Sequence, residues 1–348
     1  MATLPAEDHA LESRVVAPGT PVLSVDDLSV AYATDRGPVV AVDHVQLELR
    51  QGDFLGIVGE SGCGKSTLLF AIAQLLSPPA AIIGGSVSFK GRNMVQLTEK
   101  QLRHIRWRDF SVVMQSAMNA LNPVKSIAAQ YRDAIEAHAD MSKAEIRARS
   151  AEVLRLVGID PVHLRSYPHQ LSGGMRQRAM IAMALLFTPE LIIMDEPTSA
   201  LDVVAQRSLM IQIKDLQQRL GFAMIFVTHD MSLVRHYSDR LVIMYAGQVA
   251  EIGTTAQIFE RPRHPYTKGL LEAFPSIHGP RITLTGITGT PPDMGNLPSG
   301  CRFHPRCARA FSACVSTKPD LYTIEDEDVR CLLYADGAAS DDGSGTGH

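Results

Sequence analysis

The chain has 348 residues, of which 45% are hydrophobic and 20% charged, and its formal net charge is -4 at pH 7. This composition excludes a disordered chain, and the weak charge argues against a nucleic-acid partner. No run approaches the roughly 18 apolar residues of a membrane span, and the first residues lack the pattern of a secretory signal. We therefore expect a cytoplasmic protein.

The N-terminal half predicts strands followed by a turn and helices. Residues 22–50 alternate in part with period two, which is typical of half-buried strands. The short apolar run 54–58 predicts a buried strand that enters a glycine-rich turn, and an apolar helix is predicted over 68–76. Residues 98–187 are predicted to be mostly helical.

The second half predicts a return to strands. Residues 191–194 and 224–228 are compact apolar runs with polar flanks, typical of central parallel strands. Residues 241–245 and 248–252 flank an Ala-Gly pair, which predicts a hairpin. Beyond residue 261 proline and glycine become more frequent and four of the five cysteines appear, which indicates a second, small domain.

A phosphate-binding loop is predicted between the strand at 54–58 and the following helix. Residues 59–67, GESGCGKST, fit the pattern G-x-x-x-x-G-K-[ST] in the strand–helix context that the pattern requires. Backbone N–H groups and a helix N-terminus can then hold phosphate oxygens. We expect Lys65 to reach the β- and γ-phosphates and Ser66 to bind Mg²⁺. The predicted nucleotide-binding positions of the loop are Gly59, Ser61, Gly62, Cys63, Gly64, Lys65, Ser66 and Thr67.

An acidic pair follows the apolar run at 191–194. Asp195 is placed at the carboxyl end of a predicted strand, beside the phosphate loop in an open α/β sheet, where it would hold Mg²⁺ through water. The adjacent Glu196 can orient and deprotonate an attacking water. Cys63 has two interpretations, a small tolerated side chain or a redox sensor, and we favour the first.

Residues 171–175, LSGGM, followed by RQR, resemble the signature sequence of the ATP-binding-cassette family, although the family has Gln where this chain has Met175. Ser172, Gly173 and Gly174 open a predicted helix and would form a second anion site. By the same resemblance Tyr32 matches the adenine-stacking aromatic residue. The resemblance covers roughly residues 22–270 and depends on the motifs and on their order along the chain.

Other motifs occur in the order that the family has. Gln115 matches the glutamine that senses Mg²⁺ and the membrane partner, and residues 199–202, SALD, resemble the loop that crosses the dimer interface and contributes Asp202. His229 matches the γ-phosphate histidine. The resemblance implies Glu196, His229, Lys65 and Gln115 as catalytic residues, and Ser66, Gln115 and Asp195 as Mg²⁺ ligands.

The family also implies an assembly. Two cassette subunits would pair head to tail, with each ATP between the phosphate loop of one and the signature of the other. The expected partners are a second, distinct ATPase subunit, two transmembrane permease subunits and an extracytoplasmic substrate-binding protein; a homodimer stays open. A non-transport cassette ATPase is disfavoured, because only about 110 residues without sustained heptads separate the two motifs. A non-enzymatic regulatory subunit is disfavoured because the catalytic set is complete.

The C-terminal part resembles the oligopeptide and dipeptide import branch of the family. The resemblance depends on HPYT at 264–267, on GCRFHPRC around 301–307, and on QSAMNALNPVKSI at 115–127. The branch implies ATP-driven peptide import at the cytoplasmic face of the membrane, with oligosaccharides or nickel as alternative cargo. The cargo itself is not encoded in this chain, because the permease and binding protein select it.

Four cysteines in this part suggest a structural metal or cluster. Cys301, Cys307, Cys314 and Cys331 have the spacing C-x5-C-x6-C-x16-C. Four thiolates can bind Zn²⁺ or an iron–sulfur cluster, and spacings this wide suit the bulkier cluster better. Some members of the branch carry a [4Fe–4S] cluster at similarly placed cysteines. The alternatives are a [4Fe–4S] cluster, which we favour, Zn²⁺, or reduced thiols.

The sequence thus predicts an α/β fold: a P-loop ATPase cassette with an N-terminal antiparallel β-subdomain, a helical signature subdomain and a small cysteine-containing C-terminal domain. The predicted segments are a flexible tail at 1–20, a nucleotide-binding domain at 21–262 with its helical subdomain at about 116–188, the extension at 263–334, and a disordered tail at 335–348.

Overall fold

The computed structural model describes residues 21–115, 120–198, 201–273 and 286–335. The predicted tail at 1–20 and nearly all of the one at 335–348 lie outside these residues. The strands are β1 Pro21–Thr34, β2 Gly37–Arg50, β3 Phe54–Val58, β4 Ala80–Phe89, β5 Arg92–Asn93, β6 Phe110–Val113, β7 Leu191–Asp195, β8 Ala223–Val227, β9 Arg240–Tyr245, β10 Gln248–Thr254, β11 Tyr322–Ile324 and β12 Glu327–Val329.

The α-helices of the described residues surround these strands. They are α1 Lys65–Ile72, α2 Glu99–Ile105, α3 Ile127–Glu136, α4 Lys143–Leu156, α5 Gly173–Ala184, α6 Val203–Leu220, α7 Met231–Tyr237, α8 Thr255–Glu260, α9 Pro265–Glu272 and α10 Ser312–Ser316. Within this part of the chain, no helix is both long enough and apolar enough to span a membrane.

The N-terminal strands form a separate antiparallel sheet in the order β2-β1-β4-β5. Its inner face is apolar, with Leu28, Val30 and Val45 fully buried. Alternating side chains of this kind let one face of an antiparallel sheet pack on the core while the other meets solvent. The predicted antiparallel β-subdomain is confirmed.

The main sheet has eight strands in the order β11-β12-β10-β9-β3-β8-β7-β6. Strands β3, β8, β7 and β6 run parallel to their neighbours, and β3, β7 and β8 are buried along their whole length. Helices cover both faces of such a sheet. Its strands are therefore continuous runs of apolar residues, without the alternation of apolar and polar residues seen in a half-exposed strand. The parallel strands and the antiparallel β9–β10 hairpin were both predicted and are confirmed.

Two details differ from the predictions. Strand β6 interrupts the stretch expected to be mostly helical, because its short apolar run pairs in parallel with β7 at the edge of the sheet. Helix α1 begins at Lys65, inside the phosphate loop, and ends at Ile72. It begins earlier than predicted because Gly64 adopts a left-handed conformation, with φ of 102°, and caps the helix.

The C-terminal extension shares the main sheet with the cassette. Strand β12 pairs antiparallel with β10, where Glu251 lies opposite Val329 and Ile252 opposite Asp328, and β11 pairs with β12. Main-chain hydrogen bonds therefore join the extension to the core. The boundary at 262 and the bounds of the helical subdomain stay predictions.

Candidate functional site

The phosphate loop lies between the carboxyl end of β3 and the start of α1, at the centre of the main sheet. A Cβ at Gly59 would lie 2.2 Å from the carbonyl oxygen of Met244, and one at Gly64 would lie 2.2 Å from that of Ala41. Any side chain at these positions would collide with backbone. The tight fit fixes the curve of the loop, and loops of this shape turn backbone N–H groups towards an anion.

Lys65 is held inside the loop. Its side chain is buried, and Nζ donates hydrogen bonds to the carbonyl oxygens of Gly59, at 2.7 Å, and Glu60, at 2.9 Å. Nζ also lies 3.8 Å from Sγ of Cys63. Burial raises the pKa of the Cys63 thiol, so the thiol stays protonated and unreactive. This favours the interpretation of Cys63 as a small buried side chain.

Asp195 ends β7. Burial raises the pKa of Asp195, whereas the nearby Ser66 side chain favours the ionised form of its carboxylate by lowering the pKa. The Oδ1 atom of Asp195 is buried without a hydrogen-bond partner among the described residues. A buried carboxylate oxygen without a partner is costly unless a cation or water satisfies it. Hard oxygen donors of this kind are the ligands that Mg²⁺ prefers, so the residues fit the ion.

Glu196 is the meeting point of the predicted catalytic residues. Its Oε2 accepts a hydrogen bond from Nε2 of Gln115 at 2.8 Å, and its Oε1 lies 3.2 Å from Nδ1 of His229. Gln115, Glu196 and His229 each follow the carboxyl end of one of the neighbouring parallel strands β6, β7 and β8. Because these ends share one edge of the sheet, the three side chains converge there.

The backbone of Glu196 has a conformation that L-residues rarely adopt, with φ of 44°. Such conformations cost free energy and persist where the surrounding structure enforces them, often at functional sites. The Glu196 N–H donates to the carbonyl oxygen of Val227 at 2.9 Å, which holds the turn against β8. The strained turn aims the carboxylate at Gln115 and His229.

Tyr32 lies beside the end of the phosphate loop. Its hydroxyl is 3.1 Å from Oγ1 of Thr67, the last residue of the motif. The predicted adenine-stacking residue is thus placed next to the nucleotide-binding loop, and its stacking role stays a prediction.

The signature residues form the exposed N-terminus of α5. The Ser172 hydroxyl caps the helix by accepting the Met175 N–H at 3.3 Å. Among the described residues, nothing lies within 4 Å of a Cβ placed at Gly174. Packing against the described residues therefore does not require glycine there, and on their account the helix end is open to another molecule.

The dimer-interface loop is described only in part. Asp202 caps α6 by accepting the Ala205 N–H at 2.9 Å, whereas Ser199 and Ala200 lie outside the described residues. The next residues, Val203 and Val204, are each 79% exposed. Two adjacent exposed valines therefore follow the predicted interface loop.

The four cysteines of the extension are free thiols. The Cys301 N–H donates to the carbonyl oxygen of Cys314 at 2.9 Å, and burial together with the neighbouring thiols raises the pKa of Cys331 to about 12. Within the described residues, no group of three or more His, Cys, Asp or Glu side chains is placed to hold a metal ion. Zn²⁺ and iron–sulfur clusters need three or four such ligands that converge on one point. The expected [4Fe–4S] cluster, or Zn²⁺ in its place, is therefore not supported by the described residues.

The sequence does not predict three further residues at the phosphate loop. The hydroxyl of Tyr266 accepts the Glu60 N–H at 3.0 Å, and the guanidinium of Arg306 pairs with the Glu60 carboxylate. Tyr266 belongs to the HPYT motif and Arg306 to the GCRFHPRC motif. In the sequence, both motifs indicate only the resemblance to the oligopeptide and dipeptide import branch. The position of Glu60 inside the phosphate loop is the only feature of the sequence that could have indicated these contacts.

The geometry is that of a P-loop nucleoside triphosphatase, and comparisons with known proteins agree. A family model described as "ABC transporter" matches residues 42–199, and one described as "Oligopeptide/dipeptide transporter, C-terminal region" matches residues 250–314. Among solved structures, the dimeric post-hydrolysis state of the ATP-binding cassette MJ0796, bound to ADP and Pi, is similar. Its TM-score is 0.60 at 29% identity, over 67% of this chain and 98% of that one.

Curated relatives cover nearly the whole chain. The dipeptide transport ATP-binding protein DppD of Caldanaerobacter subterraneus is 40% identical, over 91% of this chain and 98% of its own. DppD of Bacillus subtilis is 44% identical, over 90% and 94%. The oligopeptide transport ATP-binding protein OppD of Escherichia coli is 42% identical, over 86% and 89%. The chain belongs to the ATP-binding subunits of ABC transporters, in the oligopeptide/dipeptide branch, and is an ATPase.

Proposed function

We propose that this subunit hydrolyses ATP to drive the import of oligopeptides or dipeptides through a separate permease, at the cytoplasmic face of the cell membrane. The observation that carries the proposal is the pairing of a complete ATPase site with a C-terminal region of the oligopeptide/dipeptide type. The names of the similar proteins support peptide cargo. Oligosaccharides or nickel are the alternative cargo for the same motor.

At the phosphate loop, Lys65 would leave the carbonyl oxygens of Gly59 and Glu60 and move to the β- and γ-phosphates. Ser66, Asp195 and Gln115 would hold Mg²⁺, which neutralises charge on the phosphates when bound. Oδ1 of Asp195, which has no hydrogen-bond partner in the described part of the chain, supports this assignment. Tyr32 would stack on the adenine.

Glu196 would act as the general base that removes a proton from the attacking water. Gln115 and His229 hold its two oxygens, so the carboxylate is oriented before the substrate arrives. His229 would then contact the γ-phosphate. Proton transfer from water to a positioned carboxylate accelerates such a step by roughly 10²- to 10⁴-fold.

A second ATPase subunit would complete the site. The open N-terminus of α5, with Ser172, Gly173 and Gly174, can contact the nucleotide held by a partner's phosphate loop, and Asp202 lies at the expected interface. We infer that the partner is a distinct paralogue, with a homodimer as the alternative. Two permease subunits and an extracytoplasmic binding protein complete the transporter.

The test is the ATPase activity of the complex reconstituted with its permease and binding protein. Oligopeptides and dipeptides are compared with oligosaccharides and Ni²⁺ at equal saturation of the binding protein. Stimulation by peptides alone supports the proposed cargo. Stimulation by sugar or nickel alone removes the peptide assignment and leaves the ATPase in place.

The cysteines of the extension have a structural role in this proposal. A [4Fe–4S] cluster or Zn²⁺ would require the four side chains to converge, and the described residues show no group of three or more ligands placed to hold a metal ion, which favours reduced thiols. Iron, acid-labile sulfide and zinc are measured on anaerobically purified protein, and thiols are counted after unfolding. Five free thiols without stoichiometric metal support reduced thiols; four iron and four sulfide atoms per chain support the cluster.

A further inference from the structure

Glu60, the second residue of the phosphate loop, is held by the C-terminal extension. Nη1 of Arg306 lies 2.7 Å from Oε2 of Glu60, and Nη2 lies 2.9 Å from Oε1. The Arg306 side chain is only 6% exposed. A bidentate pair of this kind fixes direction as well as distance, because the planar guanidinium matches both carboxylate oxygens.

The main chain of Glu60 is fixed as well. Its N–H donates to the hydroxyl of the fully buried Tyr266, at 3.0 Å, and its carbonyl oxygen accepts from Lys65, at 2.9 Å. Of the groups that hold Glu60, Arg306 and Tyr266 come from the extension. The other two belong to the phosphate loop: the Cys63 N–H, at 3.3 Å from the Glu60 carbonyl oxygen, and Lys65, which must reach the phosphates. A shift of Glu60 moves the resting place of Lys65.

The Arg306 guanidinium is itself held rigidly. Its remaining N–H groups donate to the carbonyl oxygen of Thr288, at 3.0 Å, and of Gly289, at 3.4 Å, and to the hydroxyl of Tyr245, at 3.4 Å. The same short segment buries Phe303, which packs edge-on against Tyr245 with ring centroids 5.2 Å apart. These contacts hold the Arg306 guanidinium in position independently of Glu60. Less conformational entropy is therefore lost when it pairs with the Glu60 carboxylate.

We propose that Arg306 is a positioning residue for ATP binding: through Glu60 it holds the phosphate loop in the shape that accepts the phosphates. The extension thereby sets the affinity of the cassette for nucleotide. A loop released from Arg306 must be ordered by the nucleotide itself, so part of the binding free energy is lost. Ground state and transition state use the same loop, so KM rises while kcat stays.

The test compares Arg306→Gln, Arg306→Lys, Glu60→Gln and the double variant Arg306→Gln/Glu60→Gln. MgATP binding is measured by equilibrium titration of the full chain, and kcat and KM for ATP are measured without cargo in the assembled transporter. We expect Arg306→Gln and Glu60→Gln each to raise KM on the order of tenfold with kcat changed less than about twofold. The double variant should be no worse than either single one, because both remove one interaction.

The lysine variant separates charge from geometry. It keeps the charge of Arg306 without the planar fork, so it should recover only part of the ATP affinity. The control is Arg263→Gln. Arg263 is 13% exposed and pairs with Glu327 and, at 2.8 Å, with Glu325, so it also joins parts of the extension, but its partners lie at β12. Arg263→Gln should lower Tm with KM for ATP unchanged.

Three results would overturn the proposal. One is a lower Tm in both Arg306→Gln and Arg263→Gln with no change in the KM for ATP in either. Arg306 would then have only a structural role. Another is additivity of the two single changes in the double variant. If Arg306→Gln does not fold, the test depends on Arg306→Lys and Glu60→Gln. An unchanged KM for ATP in both of these variants is the third result that would contradict the proposal.

Discussion

Gln115 and Glu196 lie 81 residues apart in the chain and are joined by a 2.8 Å hydrogen bond from Nε2 to Oε2. His229 lies 3.2 Å from the other carboxylate oxygen. Both oxygens of Glu196 are therefore held before substrate binds. A carboxylate fixed in this way can act on a water without first losing rotational freedom.

The first prediction concerns this carboxylate. Glu196→Gln keeps the size of the side chain and an oxygen that can accept from Gln115, so the fold and ATP binding should be retained. Hydrolysis should fall roughly 10²- to 10⁴-fold, because an amide cannot take a proton from water. Single-turnover hydrolysis and equilibrium binding of ATP measure the two effects.

The matched control is Glu190→Gln, at the opposite end of β7, where Glu190 pairs with Lys90 at 2.6 Å. This change should leave hydrolysis near the wild-type rate, since an exposed ion pair contributes little. Hydrolysis by Glu196→Gln at the wild-type rate would show that another group is the base.

A second prediction concerns the buried carboxylate of Asp195, whose Oδ1 has no partner among the described residues. Asp195→Asn removes a desolvated charge, so the free energy of unfolding of the nucleotide-free chain should stay level or rise. Activity should fall, and the Mg²⁺ concentration for half-maximal ATPase should increase at least roughly tenfold. Urea unfolding and a Mg²⁺ titration measure these changes. A parallel loss of stability and activity would instead assign Asp195 a structural role.

The third prediction separates folding from catalysis at the signature. Gly174→Ala adds a methyl group that meets nothing within 4 Å in the described part of this chain, and a helix gains up to about 1 kcal/mol from Gly to Ala. The thermal stability of the isolated chain should therefore not fall, and its affinity for ATP should be unchanged. The ATPase of the assembled transporter should fall roughly tenfold, because the methyl enters the space proposed for the partner's nucleotide.

Gly286→Ala is the control for the signature prediction, because a Cβ there also meets nothing within 4 Å among the residues that the structure describes. It should change neither stability nor ATPase. Unaltered ATPase in Gly174→Ala would place the partner's nucleotide elsewhere.

The fourth prediction concerns two buried titratable groups whose effects oppose each other. Glu251 is fully buried and accepts the N–H groups of Arg263, at 2.7 Å, and His264, at 3.1 Å; burial raises its pKa to about 7. Burial lowers the pKa of His264 to about 4. The charged neighbours are Glu327, which raises the pKa of Glu251, and Arg330, which lowers that of His264 through its charge.

The signs follow from proton uptake. Between pH 4.5 and 7 the folded chain holds the Glu251 proton that the unfolded chain releases, so stability falls as pH rises. Between pH 4 and 6.5 the unfolded chain holds a proton on His264 that the folded chain lacks, so stability rises with pH. In the wild type the two effects nearly cancel where the ranges overlap.

Single changes should expose each effect. In Glu251→Gln the stability should rise from pH 4 to 6.5, and in His264→Asn, which keeps an acceptor for the Tyr266 N–H, it should fall from pH 4.5 to 7. The limiting slopes are about 1.4 kcal/mol per pH unit, of opposite sign. Urea unfolding at a series of pH values measures them. Equal slopes in both variants would contradict the assignment.

The local pattern of the sequence predicts much of this protein. The period-two alternation of residues 22–50 and the apolar runs at 54–58, 191–194 and 224–228 predict their strands, because burial of one or both faces leaves a local pattern. The phosphate loop could be recognised because its chemistry requires glycines, lysine and a hydroxyl at fixed spacing. The convergence of Gln115, Glu196 and His229 then follows from the common edge of the parallel strands.

Other features depend on tertiary structure alone. Arg306 and Glu60 are 246 residues apart, and no local pattern records which arginine meets which carboxylate. The spacing of the four cysteines favoured a metal centre, yet spacing along the chain does not state where the side chains point. Sequence periodicity reports what each segment buries, whereas the order of strands in the sheet decides which distant side chains meet. The sequence by itself therefore determined the ATPase chemistry, and only the tertiary structure joined the extension to the phosphate loop.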